Sequence, residues 1–352
     1  MIEKEIIELI NDELKGDNAT FLSNLELKFL PTRSRLLNVF LSNKKKGGGI
    51  IYGRDGMMTI SGDPATGKSL LAAEIGISTQ LNGGVCLYLD TEHAVNKDFF
   101  KRMGANPEKF IISEPGTLEE GFKIIEKTVL KLNDIKQENN KNLTIIWDSI
   151  AATPSSFEEE DQSYNPQNSI GLSARIISKA LRKINAIMAV NNVSIIFLNQ
   201  LRTAIGQQYG DTDVEYGGKA LQFYAATRLK LKKESYIYDS TDKENKRIIG
   251  TRTKMILMKS RVGSPRKEIV FRIYHDKGID DLLTLKDLAK DYGFIKASGA
   301  WSNIEFIGEK ISFQGDDEFL ELMDKKPDLK EWLYSQVEDK IIDYYVKEEN
   351  KG

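Results

Sequence analysis

The chain has 352 residues, 40% apolar and 29% charged, with 50 Lys and Arg against 52 Asp and Glu and a net charge of −2. That length allows one large core with small flanking units, and that charge excludes coating of a polyanion by bulk attraction, so any such contact must rest on local cations. The single cysteine, Cys86, excludes a disulfide framework, and no run approaches the roughly 18–20 apolar residues of a membrane span.

At the N-terminus, MIEKEIIELINDELK is acidic and amphipathic, unlike an export or transit signal. With the lone thiol, this points to a cytoplasmic protein without a membrane partner. Ile2, Ile6, Ile7, Leu9, Ile10 and Leu14 recur with helical spacing. A second amphipathic segment is expected over about 20–40, and NKKKGGG at 43–49 reads as a flexible connector. From residue 57 short apolar runs alternate with helix-length segments: MMTIS (57–61), VCLYLD (85–90), FIIS (110–113), LTIIWD (143–148) and VSIIFLN (193–199). Continuous apolarity predicts strands buried on both faces and joined by helical crossovers, an α/β fold with a mostly parallel central sheet. ATRLKLK (226–232), TKMILMK (253–259) and EIVFRIY (268–274) are expected to extend the sheet by antiparallel pairing. Beyond about 278 the chain turns helical and charged, which suggests a small separate C-terminal domain.

Gly62-Asp63-Pro64-Ala65-Thr66-Gly67-Lys68-Ser69 satisfies G-x-x-x-x-G-K-[ST] between a predicted strand and a predicted helix. Backbone N–H groups and the helix N-terminus of such a loop cradle phosphates. Lys68 would reach the β- and γ-phosphates, and Ser69 would ligate Mg²⁺. These residues predict nucleoside triphosphate binding. Asp148, closing LTIIWD, can hold the Mg²⁺ shell through water, although a strand-terminal Asp also serves as a cap. Glu92 in LDTEHA lies beyond a strand end, where a carboxylate can activate the attacking water or merely be a solvated loop acid. His93 reads as a packing or capping residue rather than a base.

Taken together, SGDPATGKS, LDTEHA, IIWDSIAA, GLSARIISKALRKI, FLNQLRTAIG…GGKALQFYAATRLKL, MKSRVGSPRKEIVFRIYHDKGID and SGAWSNIEFIGEKI resemble the RecA-type homologous recombinases, colinearly from about 50 to 335. The resemblance implies a RecA-like P-loop core at 46–277, an N-terminal helical oligomerisation segment at 1–45 and a small α+β C-terminal domain at 278–352. It also implies ATP and Mg²⁺ as cofactors, Glu92 as catalytic base and Phe99 against the adenine. Asn96 stands where many members have Asp. Gln200 would sense the γ-phosphate and relay it to DNA, while Lys259 and Arg261, with Phe223 at the subunit contact, would enter the ATP site of an adjacent copy.

Two loops, at about 155–170 and 200–218, would bind DNA. Arg175, Lys179 and Arg182 form one stripe of a helix, a pattern that is usually a plain solvated face. Beside them, Ile170, Arg202, Tyr209, Gly217, Gly218 and Lys219 complete the implied groove. The acidic run Glu158-Glu159-Glu160-Asp161 and Gln222, where members often carry lysine, depart from that pattern. The N-terminal helix would dock onto the next protomer, and Lys296 and Lys310 would serve duplex capture. The implied function is a DNA-dependent ATPase that forms filaments on single-stranded DNA and exchanges strands with homologous duplex DNA, in recombination and repair. Single-strand-binding and loader proteins are admitted as further partners. A ring ATPase or helicase on the same core, and a recombination mediator without strand exchange, are the alternatives.

Overall fold

The computed structural model describes residues 2–14, 26–135, 142–160, 171–189, 191–203, 213–239, 247–263 and 265–349. In chain order the elements are α1 (Ile2–Leu14), β1 (Lys28–Leu30), α2 (Arg35–Ser42), β2 (Ile50–Tyr52), β3 (Met57–Gly62), α3 (Lys68–Leu81), β4 (Val85–Asp90), α4 (Lys97–Arg102), β5 (Phe110–Ser113), α5 (Leu118–Ile135), β6 (Leu143–Asp148), α6 (Ser156–Glu160), α7 (Leu172–Met188), β7 (Val193–Thr203), β8 (Asp213–Glu215) and α8 (Lys219–Tyr224). There follow β9 (Thr227–Tyr238), β10 (Ile248–Lys259), β11 (Lys267–Tyr274), β12 (Gly278–Ile279), α9 (Asp281–Asp291), β13 (Ile295–Ser298), β14 (Trp301–Phe306), β15 (Glu309–Phe313), α10 (Asp317–Lys325) and α11 (Pro327–Glu349).

The main sheet has the order β12-β11-β10-β9-β3-β7-β6-β4-β5, with β8 turned back on β7. Its apolar runs are continuous because both faces are covered. On β6, Ile146 joins the cluster on the α3 side, whereas Ile145 and Trp147 join the cluster under α5 and α7. Two differences from the sequence reading concern the sheet. β9 pairs with β3 in parallel, and antiparallel pairing begins only at β10. β5 is the edge strand, so Ile111 and Ile112 are exposed although the run FIIS is wholly apolar but for its serine.

The expected connector at 43–49 joins α2 to β2, and β2 pairs with β1, the strand ahead of α2, as an antiparallel ribbon. α2 is capped by Ser34, whose Oγ accepts the Leu37 N–H at 3.0 Å, and it buries Leu36, Leu37 and Phe40 in the α3-side core. That core runs on through α9, the three-stranded sheet β13-β14-β15, α10 and α11. Asp281, pushed above the usual carboxyl range by burial, accepts from Ser34, from the Leu36 N–H and from Tyr334 at 2.8 Å. It thereby ties α2, α9 and α11 together. α1 differs: Ile2, Ile6, Leu9 and Ile10 are all exposed, leaving its apolar face uncovered. Among the described residues no helix is long and apolar enough to cross a membrane.

Candidate active site and nucleic-acid face

β3 delivers the chain into a loop whose geometry the glycines permit. Gly67 has φ +91°, and a Cβ on Gly62 would meet the Leu231 carbonyl oxygen at 2.6 Å. Thr66 is buried and turned inward, its Oγ1 donating to the Asp63 carbonyl at 2.8 Å, while Thr253 donates to the Thr66 carbonyl at 3.1 Å. The loop is thus clamped to β10. Lys68 opens α3 and folds back, donating to the carbonyls of Gly62 at 2.8 Å and Asp63 at 2.9 Å. Burial pushes its ammonium below the usual lysine range against the opposing pull of Asp148, Glu92 and Asp63.

These residues face a cavity of about 490 Å³ lined by Pro64, Ala65, Gly67, Lys68, Ser69, Leu70, Glu92, Asp148 and Gln200, closed opposite by Tyr236, Ile248, Thr251 and His275. Asp148 ends β6 in register with Asp90 of β4. It is 5% exposed, and burial raises its carboxyl pKa against the hydrogen bonds from Tyr88 and Ser69. Its peptide bond to Ser149 is cis. Asp90 accepts the N–H groups of Ala94 and Val95 at 3.1 and 2.9 Å, and the Thr91 N–H donates to the Asp148 carbonyl at 2.9 Å. These bonds pin the turn that carries Glu92 against the end of β6. Glu92 Oε1 then accepts from Ser149 Oγ at 2.6 Å and from Gln200 Nε2 at 3.1 Å.

The fit to ATP and Mg²⁺ follows from the donor set. The loop is shaped by close backbone approach, which suits phosphates, and hard oxygens of Ser69 and Asp148 face the same cavity. Mg²⁺ is usually held by one or two protein ligands together with substrate phosphates, and Ser69 and Asp148 supply such oxygens here.

Phe99 is not among the residues that line this cavity. Asn96 caps α4 through the Asp98 and Phe99 N–H groups, and Phe100 buries its ring between Tyr88 and Phe110. Phe99 is left edge-on to Phe100 at 5.5 Å, outside the described lining of the cavity. Nor does His93 pack; it is exposed, 3.7 Å from Glu114. Sequence reasoning missed Tyr88, Asp90 and Ser149, and the wall of Tyr236, Ile248 and His275. Asp90 was readable as a second strand-terminal acid, but the wall exists only because β9, β10 and β11 follow β3 in the sheet.

Lys259 and Arg261 lie at the opposite end of the strands, the second edge of the layer. β10 runs antiparallel to β9, so Thr251 is near the nucleotide cavity and Lys259 lies about 25 Å further along the strand. Lys259 donates to the Gln222 and Phe223 carbonyls at 3.0 and 2.7 Å, and Arg261 pairs with Asp55, just before β3, at 3.2 Å. Burial, then Arg261 and Arg228, depress the Lys259 ammonium. Phe223 is 72% exposed. These three residues form one face that their own cavity cannot reach.

On α7, Ile177 and Leu181 are buried and Arg175, Lys179 and Arg182 exposed. Lys183 pairs with Glu126 at 2.5 Å, but the other three cations and Lys219 have no ion pair among the described residues. A groove of about 470 Å³ between α7 and α8 is lined by Ala174, Ser178, Gly217, Lys219, Ala220, Phe223 and Tyr224. Gly217 has φ +88°, and a Cβ there would meet Ile177 at 2.9 Å; Gly218 precedes α8 with Lys219 exposed behind it. Ile170 and Tyr209 lie outside the described residues, and Arg202 is placed only as part of β7. Of the acidic run, Glu158 accepts from Ser155 at 2.9 Å and from Ser173, a buried residue of α7, at 3.3 Å.

The family model for the RecA N-terminal domain matches residues 19–280. The chain is similar to Protein RecA of Geobacter sulfurreducens, 32% identical over 314 residues, which is 89% of this chain and 85% of that protein. Protein RecA of Colwellia psychrerythraea is 30% identical over 338 residues, 96% of this chain and 90% of its own. Protein RecA of Chloroherpeton thalassium is 33% identical over 295 residues, 84% and 77% of the two chains. With the phosphate loop, its acids and the parallel sheet of one accord, the chain belongs to the RecA family of DNA-dependent recombination ATPases.

Proposed function

We propose that the protein assembles on single-stranded DNA as an ATP-bound helical filament, pairs it with homologous duplex DNA, and releases it on hydrolysis. The observation that carries this reading is the two-edged placement of the chemistry. Each protomer holds its phosphate loop, Glu92 and Asp148 at one end of the strands, and Lys259, Arg261 and Phe223 at the other. Stacked head to tail, the second edge of one copy completes the cavity of the next, so turnover is tied to assembly.

Within the cavity the N–H groups of residues 62–69 would bind the phosphates, and Lys68 would leave its two carbonyl partners to reach the β- and γ-oxygens. Ser69 and Asp148, the latter through water, would hold Mg²⁺, which supplies charge neutralisation on the phosphates. Glu92 would orient the attacking water and take its proton. Gln200, already bonded to Glu92, would exchange that bond for a γ-phosphate oxygen and pull on the segment after β7. Arg175, Lys179, Arg182 and Lys219 would hold the DNA backbone, and Phe99 would border the adenine. α1 would lay its uncovered apolar face on a neighbouring copy, while residues 278–352 with Lys296 and Lys310 would meet duplex DNA.

The test measures phosphate release with and without single-stranded DNA, and images the protein with that DNA and a slowly hydrolysed ATP analogue. Stimulated turnover and regular filaments are expected. Equal turnover without DNA, or closed rings in the images, would overturn the reading.

A further inference from the structure

Tyr88 is 2% exposed on β4, and its hydroxyl donates to Oδ2 of Asp148 at 2.6 Å. A phenol in this place needs a reason, because phenylalanine would fill nearly the same volume without burying a polar atom. The ring cannot swing away from its partner. It stands edge-on to Phe100 at 5.6 Å and tilted against Phe110 at 5.9 Å. Register places it as well: Tyr88 is opposite Ile146 and Asp90 opposite Asp148, so the phenol reaches diagonally to the next position on the same face.

We infer that Tyr88 is a positioning residue for the divalent cation that accompanies the nucleotide. The last torsion of an aspartate side chain is soft, and its carboxylate plane is otherwise free to turn. By occupying Oδ2, the phenol holds that plane in one orientation and leaves the rest of the carboxylate toward Ser69 and the cavity. Loss of a group that orients a residue in a cation's shell typically costs about 10–100-fold in metal affinity. The inference rests on the assignment of Asp148 to the cation shell made above.

The experiment compares the full-length parent, Tyr88→Phe and Asp148→Asn. Each is titrated with Mn²⁺ in the presence of a non-hydrolysable ATP analogue, free Mn²⁺ being read by electron paramagnetic resonance. Nucleotide affinity is measured separately in EDTA. For Tyr88→Phe the Mn²⁺ dissociation constant should rise about tenfold, while nucleotide affinity in EDTA and the cooperative melting transition stay as in the parent. Parent-like Mn²⁺ binding by Tyr88→Phe, with weakened binding by Asp148→Asn, overturns the inference and leaves the assignment of Asp148 standing. Parent-like binding by Asp148→Asn overturns that assignment and the inference with it. Loss of nucleotide affinity in EDTA, or of cooperative melting, in Tyr88→Phe would make the phenol a fold-holding group and also overturn the inference.

Discussion

The Gln200 amide donates to Oε1 of Glu92 at 3.1 Å across the mouth of the nucleotide cavity, joining the end of β7 to the turn after β4. Ser149 holds the same oxygen at 2.6 Å, so Glu92 is oriented from two sides. A carboxylate so held is placed for one geometry of attack, and a change in Gln200 reaches it directly.

Glu92→Gln keeps the shape and the hydrogen bonds but removes the proton acceptor. Steady-state phosphate release should fall about 10²–10⁴-fold, while binding of a fluorescent ATP analogue and of single-stranded DNA persists. Turnover equal to the parent's would remove Glu92 from the reaction.

Gln200→Ala leaves the phosphate loop intact and removes the amide bonded to Glu92, the relay proposed above. ATP should then tighten DNA binding about tenfold less than in the parent. Fluorescence anisotropy of a labelled oligonucleotide, with ADP and with an ATP analogue, checks this; an undiminished ATP effect would rule out the relay.

Arg261→Ala acts at the far end of the strands, where its guanidinium rests on Asp55. DNA-stimulated turnover should drop on the order of 10³-fold, the usual weight of a cation supplied in trans, with ATP binding by isolated protomers unchanged. Mixing this variant with Glu92→Gln should restore some activity, because mixed seams contain intact pairs. No recovery on mixing would argue against a shared site.

Lys267 is buried on β11, its ammonium donating to the Phe40 carbonyl at 3.4 Å and lying 5.2 Å from that ring's centre. Burial pushes its pKa down to about 7 from 10.5. Below pH 7 native and unfolded chains both carry the proton, and the burial cost is present in full. Between about 7 and 10.5 the unfolded chain keeps a proton the native one has released, so stability rises with pH. Lys267→Met should therefore stabilise the protein by on the order of 1 kcal/mol at pH 6 and progressively less toward pH 10. Urea melts at both pH values decide it; a pH-independent difference would contradict the burial argument.

Much of the site was legible because it is local. The spacing from Gly62 to Ser69, the strand-ending Asp148 and the acid in LDTEHA each lie within a few residues of a predicted strand end, and the structure gathers them at one cavity. Locality stops at Phe99 and Phe100: which of the two rings is buried is set by the Asn96 cap and by the space between Tyr88 and Phe110. FIIS shows the same limit, since an edge strand and a central strand can carry the same apolar run.

From the sequence alone came the phosphate loop, the parallel α/β core and the cationic stripe of α7, because each depends on neighbours one to seven positions apart. Only the tertiary structure decided that β9 pairs in parallel, that Tyr88 reaches Asp148, and that Lys259 and Arg261 lie a strand's length from their own cavity. Those facts depend on which strands are neighbours, and strand order is settled by how two buried faces share one sheet rather than by any short run of residues.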